Sequence, residues 1–92
     1  MQKIFKVEKP VRTETELDCP QRSWKSLMEK VMKETSDATH AKFAIHKAME
    51  HKFGSRFFVT CDNKKVSFVT NGNGYCNSRE GDLFCQVVAL VA

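Results

Sequence analysis

Phe57-Phe58-Val59-Thr60-Cys61-Asp62-Asn63-Lys64-Lys65-Val66-Ser67-Phe68-Val69-Thr70 is the stretch on which the fold turns. It reads as two short strands with a polar turn between them. On the first, Phe57, Val59 and Cys61 alternate with Phe58 and Thr60. On the second, Val66, Phe68 and Thr70 alternate with Ser67 and Val69. Period-two alternation of aromatic and β-branched residues is the signature of a strand with two unlike faces.

Upstream, the period changes. Trp24, Leu27, Met28, Val31 and Met32 recur at three- and four-residue spacing, which predicts a helix lasting to about Glu34. Asp18, Cys19 and Pro20 resemble its start. Ser36 and Asp37 can cap a second helix. Its stripe is Ala41, Ala44, Ile45, Ala48, Met49 and Phe53, and Gly54 suits the position after its end. Trp24 is expected in the core or as a lid over the sheet. Nearer the N-terminus, Lys3 to Lys9 reads as a strand closed by Pro10. Residues 11–17 read as extended and surface-lying, an edge strand or a linker.

Downstream, Asn71-Gly72-Asn73-Gly74 is a strong turn signal and reads as a hairpin turn. Tyr75 to Arg79 is a weak strand or a loop edge, and Glu80-Gly81-Asp82 turns the chain again. Leu83 to Val91 is apolar on both faces, as a fully covered central strand would be. The expected fold class is therefore α+β, with two antiparallel helices packed on an antiparallel β-sheet.

Ninety-two residues make one domain, and so short a chain is marginal as a lone monomer. Hydrophobic content of 41% against 28% charged residues argues against overall disorder. The net charge of +4 is spread along the chain, with no basic run longer than Lys64-Lys65, so it reads as weak steering. Cys19, Cys61, Cys76 and Cys85 form no C-x-x-C pair, and three of them fall in or beside predicted strands. They are expected as free thiols acting as small hydrophobes in a reducing, cytosolic setting. The opening residues carry no apolar core segment of a signal peptide, and the longest apolar run is far short of a membrane span.

No catalytic or metal constellation emerges. His40, His46 and His51 are six and five residues apart and do not make a same-face pair, and His46 and His51 are expected to face solvent. The spacings of Cys61, Cys76 and Cys85 fit no common zinc pattern. A cysteine nucleophile with a histidine base has no motif behind it. Asn71 to Gly74 lacks the lysine and helix start of a phosphate loop.

The chain resembles the small dynein light chain family. Ile45-His46-Lys47 through Lys52-Phe53-Gly54 carry the resemblance, with Phe57-Phe58-Val59, Val66-Ser67-Phe68-Val69-Thr70 and Gln86-Val87-Val88-Ala89-Leu90. It covers about residues 23 to 92. It looks most like the light-chain-like domain at the C-terminus of flatworm tegumental calcium-binding proteins, where EF-hands precede it. No EF-hand loop is present here: the run headed by Asp62 lacks the glycine at its sixth position and the final glutamate. On this resemblance residues 1–19 are an N-terminal strand and extended linker, and residues 20–92 a dynein light chain-like domain.

What the resemblance implies is a homodimer with an exchanged strand and no enzymatic activity. A client peptide would add as a further strand along Lys65, Val66, Ser67, Phe68, Val69 and Thr70, by main-chain hydrogen bonds. Thr39 stands where the family has a lysine that helps hold the client's glutamine. Phe58, Ser67 and Phe68 would lie at the dimer seam. Phe58 replaces the family's seam histidine, so the implied dimer would lack that pH switch. Implied clients carry Thr-Gln-Thr-like motifs, the dynein intermediate chain being one candidate. The implied setting is cytoplasmic and cytoskeleton-associated, with no cofactor, metal, nucleic acid or membrane span. Residues 12–15, Arg-Thr-Glu-Thr, themselves resemble that motif and are expected either to occupy a groove or to be a solvated linker. Two alternatives accompany this reading: a dimerisation-only domain that has lost the groove, and a small basic nucleic-acid-binding domain.

Overall fold

Leu83–Leu90 (β5) is the strand on which both layers are built. Cys85 and Val87 are fully buried on one side of it, and Gln86 is buried on the other. A strand covered on both faces belongs at the centre of its sheet. The computed structural model describes residues 18–35 and 37–90, and the backbone alone of 10–12. In chain order the elements are β1 (Pro10–Arg12), α1 (Arg22–Met32), α2 (Ala38–Phe53), β2 (Arg56–Asp62), β3 (Val69–Asn71), β4 (Tyr75–Glu80) and β5. β2, β5 and β4 form a three-stranded antiparallel sheet in that order. β1 and β3 form a separate antiparallel pair.

The helices cover one face of the sheet, α2 over β2 and α1 over β4. Periodicity explains which side chains they bury. Trp24, Met28, Val31 and Met32 of α1 and Ala41, Ile45 and Met49 of α2 enter the core with Phe57, Val59, Cys76, Leu83, Cys85 and Val87. Ala44, expected on the α2 stripe, is exposed. Trp24 takes the core position, its ring edge-on to Phe57 at 5.0 Å and tilted on Phe53 at 6.1 Å. Asp37 caps α2 by accepting a hydrogen bond of 2.8 Å from the His40 N–H. Gly54 ends the helix in the left-handed region at φ 65°, where a side chain would be strained. α1 begins two residues later than Pro20 suggested, with Gln21 as its cap.

Three expectations about strands are corrected. β2 does not form a hairpin with the segment after it. It pairs with β5 in a register that sets Val59 against Val87 and Cys61 against Cys85. The Asp62-Asn63-Lys64-Lys65 connection has no residue at positive φ, which the tight hairpin turns require, so the chain leaves the sheet there. Of the expected strand Val66–Thr70 only Val69–Thr70 is regular, and it pairs with β1 instead. The Asn71–Gly74 turn therefore links strands of different sheets and is not a hairpin. Tyr75–Glu80 is a full strand, joined to β5 by the two-residue Gly81-Asp82 loop with Gly81 at φ 59°. The expected strand over residues 3–9 lies outside the described residues, as do residues 13–17.

The four cysteines are not free thiols. Cys19 is bonded to Cys76, and Cys61 to Cys85, its partner across β2 and β5. The first bond ties the coil before α1 to β4; the second locks the register of the sheet. The loops they close span 57 and 24 residues.

Loop-closure entropy predicts that removing Cys19–Cys76 costs about 4 kcal/mol and removing Cys61–Cys85 about 3.5 kcal/mol. Denaturant titrations of the C19A/C76A and C61A/C85A variants check both figures. Iodoacetamide should label no cysteine until the protein is reduced and all four afterwards. Any thiol labelled in the native, unreduced protein would contradict the pairing. At α2, the His40 backbone N–H first, and then the His40 side chain, hold the Asp37 carboxyl below its ordinary value of 3.8. A depressed carboxylate contributes its stability fully above that value and loses it as pH falls through the lower folded pKa. Asp37→Ala should therefore lower the thermal midpoint at neutral pH and flatten the loss of stability below pH 3.8, read by calorimetry across that range.

Candidate functional site

The outer face of the sheet, opposite the helices, follows from the strand register. Across β2, β5 and β4 it presents the rows Phe58–Val88–Tyr75, Thr60–Gln86–Asn77 and Asp62–Phe84–Arg79. Among the described residues no helix covers these rows. The chain itself crosses this side between Asn63 and Asn71 and anchors there by Phe68, whose ring stands edge-on to Tyr75 at 5.9 Å. Tyr75 is buried as a result.

Between this arm and the sheet lies an apolar groove of about 290 Å³. The arm lines it with Val66, Phe68, Val69 and Thr70, and the sheet with Phe58, Thr60, Gln86, Val88 and Leu90. The polar groups in the lining are partly paired with each other: the Thr60 hydroxyl donates to Gln86 Oε1 at 2.6 Å. Around the groove, large apolar side chains are left in solvent. Phe58 is 57% exposed, Val69 59%, Leu90 46% and Val66 43%. Scattered exposed apolar residues need no explanation, but four around one groove mark a place of contact.

A second, polar cleft of about 230 Å³ adjoins the first. Gln86 lines both, and the consecutive residues Lys65 and Val66 each line one. Three cations, Lys25, Lys65 and Arg79, face it with one carboxylate, Asp18. Each cation is only partly engaged. Lys25 Nζ donates to the Asn77 carbonyl at 3.3 Å, Lys65 Nζ lies 3.7 Å from Asp18, and Arg79 Nε donates to the Gly81 carbonyl at 2.8 Å. The Arg79 guanidinium also lies over the Phe84 ring at 5.2 Å. The Asp18 carbonyl accepts from the Asn77 N–H at 2.9 Å and closes the β4 edge at this point. The Asn77 side chain is different. It is 6% exposed, and neither its Nδ2 nor its Oδ1 has a hydrogen-bond partner among the described residues. A buried polar group left so costs about 1–3 kcal/mol.

The sequence-predicted residues divide between these places. Phe58, Val66, Phe68, Val69 and Thr70 converge on the groove, and Lys65 turns to the polar cleft. Ser67 is exposed and lines neither, and Thr39 sits exposed in the first turn of α2. Of the segment 65–70 expected to receive a client, Val69 and Thr70 pair along one edge within the chain, with Arg12 and Val11. Residues 13–15 of the motif-like segment lie outside the described residues. Sequence reasoning missed Gln86, Asn77 and Arg79. The signal for Gln86 was present, since it is the single polar side chain between Leu83 and Val91. Among the described residues no group of three metal-ligating side chains converges, and His40, His46 and His51 are all exposed.

No helix is long and apolar enough to cross a membrane among the described residues. No curated protein and no solved structure matches the chain. The model of the Ground-like domain matches it over residues 16–87, which spans both helices, β2, β3, β4 and most of β5. That match overturns the dynein light chain resemblance. The adaptor function, the dynein-complex association and the tegumental calcium-binding context drawn from the resemblance fall with it. Both clefts are formed almost entirely by residues within the matched span, and the chain belongs to the Ground-like domain family.

Proposed function

We propose that this domain is a non-enzymatic binding module, stapled by disulfides for an oxidising compartment, that takes an apolar ligand into the outer-face groove. The observation that carries the reading is the groove itself, an apolar trough rimmed by four solvent-held apolar side chains. Ligand sites are typically concave and apolar, with a few polar groups to set orientation. The Thr60–Gln86 pair supplies such groups at the lining. Paired cysteines support the compartment, because disulfides persist where the surroundings are oxidising. This proposal replaces the cytoplasmic, cytoskeletal setting drawn from the earlier resemblance.

The rival occupant is a second copy of this chain. The same exposed side chains favour it, and a chain of this length gains from association.

Titration with the neutral fluorophore N-phenyl-1-naphthylamine tests the reading. Saturable binding in the micromolar range is expected. Phe58→Asp and Val69→Asp should each weaken it about tenfold, roughly 1.4 kcal/mol. Both positions are more than half exposed, so unfolding free energies should stay within about 0.5 kcal/mol of the parent. Absence of binding would defeat the proposal. Light scattering that shows a dimer, converted to monomer by Phe58→Asp, would assign the groove to the second copy.

A further inference from the structure

We infer that the ligand is a single-chain anionic amphiphile, a fatty carboxylate, lying across both clefts with its tail in the groove and its head in the polar cleft. This rests on the groove reading and specifies what the groove takes. The two clefts are neighbours: Gln86 lines both, and the consecutive residues Lys65 and Val66 line one each. Their characters are opposite. One is apolar. The other sets Lys25, Lys65 and Arg79 against the one carboxylate of Asp18. That balance leaves the cleft cationic and complementary to a single negative head.

Asn77 supplies the independent observation. Its side chain is more than nine-tenths buried, lines the polar cleft, and has no partner among the described residues for either its donor or its acceptor. By register it stands beside Gln86, at the junction of the two clefts. A carboxylate there accepts from Asn77 Nδ2 and from the cations, of which Lys65 alone is paired with a carboxylate among the described residues, Asp18 at 3.7 Å. Arginine has donors to spare after its bond to the Gly81 carbonyl. Each cleft alone is small for a ligand site. Together they fall within the usual range of about 300–1,000 Å³.

The tail alone is hydrophobic and would be accepted with any head. The head is what discriminates, and it does so by charge rather than by size. A neutral alcohol of the same length leaves Asn77 and the cations as they are in the free protein.

Calorimetric titrations with dodecanoate and with dodecan-1-ol decide the matter. Dodecanoate is expected to bind at least tenfold more tightly. The K65Q/R79Q variant should bring dodecanoate to the level of the alcohol and leave the alcohol unchanged. Asn77→Leu should weaken dodecanoate about tenfold while raising the thermal midpoint of the free protein by a few degrees, since it removes the unpartnered polar group. Equal affinity for acid and alcohol would overturn the anionic head and leave the groove reading standing. Binding of neither would remove the groove reading as well. A preference for dodecanoate that survives K65Q/R79Q would overturn the placement of the head. Sedimentation with phosphatidylserine vesicles that persists in saturating dodecanoate would overturn the single-chain ligand in favour of a lipid surface.

Discussion

β5 is apolar toward both faces of the sheet, and among the described residues two helices are there to cover it. Cys85 and Val87 are closed off by the helical layer. Val88 and Gln86 on the other side need a second cover. At about 25 cal/mol per Å² of apolar surface, leaving that side open would forfeit several kilocalories in a domain with few to spare. The segment between Asn63 and Asn71 supplies the cover, but only in part. It buries Tyr75 under Phe68 and leaves Phe58, Val69 and Leu90 half in water. The groove is thus what remains when an irregular arm roofs a sheet face that a third helix would have sealed. Both clefts follow from that shortage of covering structure.

The disulfides make such incomplete cover tolerable. A chain of 92 residues buries a limited share of its unfolded surface, and one side of this sheet contributes less than it could. The bond across β2 and β5 fixes the pairing that aligns the Phe58, Thr60 and Asp62 rows with β5. The bond from Cys19 to β4 holds Asp18 and the start of α1 beside Asn77, which positions Asp18 and Lys25 at the polar cleft. Stability that a larger core would supply comes instead from constraint on the unfolded chain, in the loop-entropy account. The site can then keep exposed apolar groups and a buried unpaired amide without loss of the fold.

How much of this was legible in the residues depends on whether the information was local. The helices were: the Trp24–Met32 stripe, the Asp37 cap and Gly54 carry periods and terminal chemistry within one segment. The central place of Leu83–Leu90 was legible because a run apolar on both faces has few other destinations. Partners were not. Alternation in Val66–Thr70 shows a strand-like rhythm, yet nothing in it says that Val69 meets Arg12 rather than a neighbour in the main sheet. The cysteine pairing failed for the same reason. Cys61 and Cys85 become opposite only once the β2–β5 register exists, and C-x-x-C spacing says nothing about bonds across 24 or 57 residues. An even count of four in so short a chain was the better signal, and it weighed for a disulfide framework. The resemblance misled because its pieces are generic. An amphipathic helix ended by glycine, then an aromatic strand, describes many α+β layers, and such pieces identify a fold class before they identify a family.

The arm is also where structure and binding meet energetically. Its named anchors are each modest. The Phe68–Tyr75 pair is worth about 0.5–1.5 kcal/mol beyond its burial, and the half-exposed Lys65–Asp18 pair about 0–1 kcal/mol. The pairing of β1 with β3 extends over three residues. Regions held by a few such contacts open at lower free energy than the strands beneath them. The sheet floor, by contrast, is tied by a disulfide and a full ladder. A ligand in the groove therefore meets one rigid wall and one yielding wall. The rigid wall carries Arg79 and Asn77, which read the head together with Lys65 of the arm, and there fixed geometry matters most. The yielding wall carries Val66 and Val69, whose contacts with a chain of methylenes demand area rather than angle. That division suits an amphiphile whose head must be read and whose tail need only be covered.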